Sequence, residues 1–171
     1  GGAGKRIQNQ EKETPLVPGG SLAVTLIRGD FDLSGIGTVT HIEGNRVYGW
    51  GHPFMSLGAC DLPLMTGYVH TIYPRQSVSF KMGSPLRTVG VINADVSTGI
   101  AGWLGRKPDM IPMTMKVRCD DASNAHTFNV ELARQPSLLA TLVFTALSNS
   151  IDMEGRLPDE ITANFTARLE V

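Results

Sequence analysis

No sign of charge dominates this sequence. Fifteen Lys and Arg stand against sixteen Asp and Glu, a formal net charge of −1 over 171 residues. That excludes a global field steering the chain to nucleic acid or an anionic membrane. Aromatic residues are scarce at 6%. They are not interleaved with basic ones, so no nucleic-acid partner is indicated. Only two cysteines occur, Cys60 and Cys119, far from a disulfide framework. One bridge or two buried thiols both suit them. The longest apolar run, residues 138–147, is about half a membrane span. No Cys-x-x-Cys or His-x-x-x-His spacing appears, so no metal is expected. Gly35-Ile36-Gly37 and Gly49-Trp50-Gly51 lack the third glycine and the following helix of a phosphate loop, so no cofactor is expected either. Residues 1–12 contain no apolar signal stretch. The opening Gly-Gly-Ala-Gly reads as an added or processed end, so the missing signal carries no message about location.

What is present is glycine and proline, 19 and 10 of them. That load argues against a helical bundle and for many short strands joined by turns. The apolar fraction of 42%, with so little net charge, excludes intrinsic disorder. Residues 1–15 read as a lead-in or linker, and one β domain is expected over 16–171. Strand signals fall at 21–28, 37–42, 46–50, 68–73, 78–81, 87–93, 113–119 and 127–132. Glu43-Gly44-Asn45 turns a hairpin between the second and third. This spacing predicts a mainly β chain, a barrel or sandwich of short antiparallel strands. One segment departs from it. Apolar residues at 138, 139, 142, 143, 146 and 147 form a helical stripe, with Pro136 suited to the first turn. A helix is expected near 136–149, and an alternating last strand over 161–171.

The most informative stretch is Tyr48-Gly49-Trp50-Gly51-His52-Pro53-Phe54. It places a histidine where a strand leaves the sheet, after a glycine that permits a sharp bend and before a proline that ends pairing. A general base needs such a fixed position and a pKa near neutrality. The same place also suits a histidine that caps a turn.

From Pro18 to Met115 the chain resembles the stage IV sporulation protein B family of serine peptidases. The resemblance rests on Gly35-Ile36-Gly37-Thr38-Val39-Thr40, on the His52 stretch, on Gly58 and Asp61-Leu62-Pro63-Leu64, and on the run from Gly90 to Gly102 with Leu104-Gly105. It implies a chymotrypsin-like β-barrel, an endopeptidase acting on peptide or protein substrates, and an exported bacterial protein. It puts His52 at the catalytic histidine. The family's Gly-Met-Ser-Gly-Ser-Pro nucleophile word is absent. Met82-Gly83-Ser84-Pro85 echoes it in part, which makes Ser84 a candidate nucleophile and, equally, a turn serine. In relatives outside the sporulation lineage the serine segment can precede the histidine segment. The expected arrangement is therefore a module with His52 as base whose serine lies outside this chain, in the remainder of its own polypeptide. The alternative is a non-catalytic peptide-binding domain on the same scaffold.

A third group should orient the histidine, and Asp61 and Asp95 are the candidates within the matched words. Solvated turn aspartates are the other reading of both. Cys60, eight positions from His52, reads as a buried thiol before a nucleophile. His41 suits surface or cross-strand packing, His70 a buried hydrogen-bonded position, and His126 solvent. Met110, Met113 and Met115 suit core filling or a peptide-binding edge.

Overall fold

The strand Ser21–Gly29 (β1) contains six consecutive buried residues, Leu22 to Ile27. A half-buried strand would alternate, so this one is covered on both faces. Its neighbours explain why. In the computed structural model, which describes residues 15–74, 80–118, 125–154 and, singly, 162, 164, 166 and 168, β1 pairs with three strands. Leu33–Glu43 (β2) pairs along most of its length, Gly58–Tyr73 (β4) pairs at Leu22 to Val24, and His126–Ala133 (β8) takes over from Ile27 to Gly29. Thr25, fully buried within it, is satisfied by the Ser34 hydroxyl at 2.9 Å and donates to Met65 Sδ.

From β2 the chain turns at Gly44-Asn45 into Arg46–Gly49 (β3). That strand pairs with Gly99–Leu104 (β6), β6 with Phe80–Val96 (β5), and β5 with β4, which returns to β1. Six antiparallel strands thus close an irregular, barrel-like ring. Met110–Val117 (β7) forms a hairpin with β8 outside the ring. The helix Leu139–Asp152 (α1) packs on β8, β7 and β1. Leu22, Val24, Leu62, Leu64 and Ile92 belong to the same core cluster as Ile27, Leu132, Leu142 and Ala146.

Among the described residues the chain adopts the expected mainly β, antiparallel architecture with one helix, with three differences. β6 carries no strand signal in the sequence. β4 and β5 are not short: they run 16 and 17 residues and absorb several expected strands and turns through register shifts at four places. The helix starts three residues after Pro136, which sits in a preceding turn. Its buried line is Leu142, Ala146 and Ser150, one helical turn apart. Met115 is buried, and Met110 and Met113 pack half-buried against the core, so core filling is their role here. Residues 1–14, Cys119 and most of the expected last strand at 161–171 lie outside the described residues. No described helix is long and apolar enough to cross a membrane.

Candidate functional site

The loop from Trp50 to Leu57, between β3 and β4, carries His52. Its path is demanding. Trp50 and Ser56 hold φ at 77° and 59°, left-handed values that side chains disfavour, and Gly51 between them holds 78°. Each non-glycine outlier costs about 1–3 kcal/mol, so the surroundings must supply more than that.

Two anchors do so. The Trp50 indole packs against Gly35 and Gly37 of β2. A Cβ built on Gly37 would fall 1.8 Å from Trp50 Nε1, and one on Gly35 would fall 2.7 Å from both Trp50 and Phe54 ring carbons. The Gly35-Ile36-Gly37 word is therefore a seat for these rings. Phe54 meets Trp50 edge-on at 5.0 Å between centroids. The second anchor is Asp95, near the end of β5 and 1% exposed. Its Oδ1 accepts the amide of Phe54 at 2.7 Å, and its Oδ2 accepts those of Met55 and Leu57 at 2.8 and 3.0 Å. Three backbone donors with no strand partner are satisfied by one carboxylate 38 to 41 residues away in sequence.

On this braced loop His52 is exposed, its ring 5.5 Å from Trp50. Its Nδ1 lies 2.8 Å from the carbonyl oxygen of Pro53. A carbonyl only accepts, so Nδ1 carries the proton in the neutral ring. Nε2 then holds a lone pair, and no described residue bonds to it. The Pro53 carbonyl thus fixes the tautomer of the neutral ring through a local bond to the next residue, the turn-capping contact the sequence also allowed.

The other expected site residues are not gathered at this ring. Ser84 is a strand residue of β5, opposite Tyr68, and its hydroxyl bonds to His70 Nε2 at 2.8 Å. His70 is exposed, not buried, with Tyr68 packed edge-on at 5.1 Å. Asp61 is half-buried in β4, and its Oδ1 is sealed from solvent without a hydrogen-bond partner. Neither aspartate is a solvated turn residue, and neither carboxylate is hydrogen-bonded to His52. Cys60 is a free thiol. Burial first, then the Asp95 and Asp61 charges, push its pKa up to about 11, the opposite of an activated nucleophile. His41 is exposed and stacks on Tyr48. His126 is exposed and bonds Glu154 at 2.8 Å. No group of three metal-binding side chains occurs among the described residues. An open depression of about 450 Å³ beside Leu16, Thr66, Arg87 and Leu104 includes none of the expected site residues.

The sequence did not reveal the Asp95 brace. Its only trace was the presence of Asp95 in a glycine-rich word together with an aromatic pair around His52. Comparison with protein-family models, with curated proteins and with solved structures finds no match to this chain.

Proposed function

We propose that this chain is the histidine-bearing module of a serine endopeptidase, with His52 as general base and the nucleophilic serine on a segment outside the chain. One observation carries the reading: an exposed imidazole on a braced loop, with Nδ1 committed to Pro53 and Nε2 left as acceptor. A serine hydroxyl is a weak nucleophile until an adjacent base takes its proton. In the proposed step Nε2 accepts that proton as Oγ attacks the peptide carbonyl, and the Pro53 carbonyl steadies the imidazolium. The same nitrogen then returns the proton to the leaving amine. The family resemblance set out above supports the same assignment. Peptide or protein substrate and the rest of the polypeptide are the partners it requires.

A second reading, a non-catalytic peptide-binding domain, is favoured by the exposed Tyr68, Ile72 and Met82 on the long β4–β5 arm. Fluorophosphonate labelling of the full-length polypeptide separates the two. The peptidase reading expects a labelled serine outside these 171 residues and loss of the label in His52→Ala. Absence of label in the intact polypeptide leaves the binding domain. Label on Ser84 in this chain alone refutes both the outside nucleophile and the structural role of that serine.

A further inference from the structure

On the outer face of the ring, two guanidinium groups converge on one indole. Arg46 and Trp103 are register partners on β3 and β6, and the Arg46 guanidinium lies 4.7 Å from the Trp103 ring centroid. Arg106, just past the turn at Gly105, lies 5.0 Å from the same centroid. Arg46 also sits 5.6 Å from the Tyr48 ring, and His41 stacks behind Tyr48 at 6.2 Å. Among the described residues neither arginine joins an ion pair. Glu43 is the register partner of Arg46 on β2, yet it forms no salt bridge with it.

We propose that this face binds an acidic segment of a polypeptide through the guanidinium edges of Arg46 and Arg106. Stacking on a ring engages the flat face of a guanidinium and leaves its N–H edge directed outward. Arg46 spends one such donor on Asn93 Oδ1 at 2.9 Å, and the remaining donors suit the two oxygens of a carboxylate. Two like charges held against one ring repel each other, and a bound carboxylate relieves that repulsion. Both guanidinium carbons already lie beside the indole, 4.7 and 5.0 Å from its centroid, so less rotamer entropy is lost on binding.

The chemistry favours discrete carboxylates over a dense polyanion. Sulfated glycans and nucleic acids bind by neutralising many charges. This face offers two arginines held beside one indole, on a chain of net charge −1. Base stacking is disfavoured too, because the guanidiniums already lie against the rings. The inference does not depend on His52 being catalytic.

Fluorescence anisotropy with a labelled hexaglutamate peptide at low ionic strength tests it. Arg46→Gln and Arg106→Gln should each weaken binding about tenfold. Arg46→Lys should also weaken it, since it keeps the charge and loses the planar fork. Arg134→Gln, which removes an arginine paired with Asp109, should leave it unchanged. If Arg46 variants fail to fold, Arg106→Gln decides alone, because Arg106 is exposed. The proposal is overturned if the peptide does not bind, if binding survives loss of Arg106, or if heparin or a single-stranded oligonucleotide displaces the peptide and binds the chain more tightly.

Discussion

Replacing Asp95 with asparagine exchanges one carboxylate oxygen for an amide nitrogen and alters almost nothing else in size. The consequence follows from the three donors aimed at it. If the remaining oxygen stays with Met55 and Leu57, the new NH2 group faces the Phe54 amide, donor against donor, at a position 2.7 Å away in the native chain. Flipping the amide satisfies Phe54 and strands the other two. Hydrogen bonds to a charged acceptor contribute about 1.5–3 kcal/mol each, and a buried donor left unpaired costs about 1–3 kcal/mol. With Asp95 1% exposed, water cannot replace the lost acceptor. Losing one bond outright and the ionic character of the others gives about 3–5 kcal/mol, a large part of a typical domain's stability. Urea unfolding measures the total. Hydrogen exchange locates it, because the Phe54, Met55 and Leu57 amides should be protected in the parent and fast in Asp95→Asn. A loss under 1 kcal/mol with those three amides still protected would refute the bracing role. The expected pattern is full loss of protection at these loop amides, with the β1–β4 amides keeping protection lowered only by the global loss of stability.

Gly37→Ala should destabilise the chain by about 1–3 kcal/mol or more, because the added carbon overlaps the Trp50 indole; a shifted tryptophan emission and a lower Tm report it. Cys60 should resist iodoacetamide at pH 8 in the folded chain and react on unfolding, since its thiol ionises near 11 instead of 9.0. The same shift makes stability pH-dependent. The folded pKa is raised, so the thiol's contribution is complete below pH 9 and is lost as pH rises through about 11. Cys60→Ala should remove that part of the alkaline loss seen in urea titrations. Leu142→Ala, at a position 2% exposed between α1 and the sheet, should cost about 2–5 kcal/mol in chemical denaturation.

How far the fold could be read from sequence depended on where each strand finds its partners. β1 and the β2–β3 hairpin announce themselves by β-branched runs and a turn with Gly44 at φ 55°. β6 could not be seen, because Gly99-Ile100-Ala101-Gly102-Trp103-Leu104 is rich in residues that disfavour strands. It is held by neighbours on both sides, and its glycine at 102 is required by the close approach of Val91. Pro63 and Pro85 made β4 and β5 look broken. Both prolines are paired in the ladder beside register shifts, Pro63 with Val91 and Pro85 with Gly67. At the candidate site, the bend around His52 was legible from Gly51 and Pro53. The brace was not, because nothing local distinguishes a carboxylate that will be buried against distant amides from one left in water.

The way β1 is shared has a kinetic side. Its register partner at Ile27 is Leu132, about a hundred residues later. At a synthesis rate of ~5–20 residues per second, the end of β1 waits roughly 5–20 s for β8 to emerge. Until then an apolar edge from a strand that ends up fully enclosed stays open to other chains. Closing contacts of such long range is slow in itself. Nascent chains stalled before β8 should therefore be the form of this protein most in need of a chaperone.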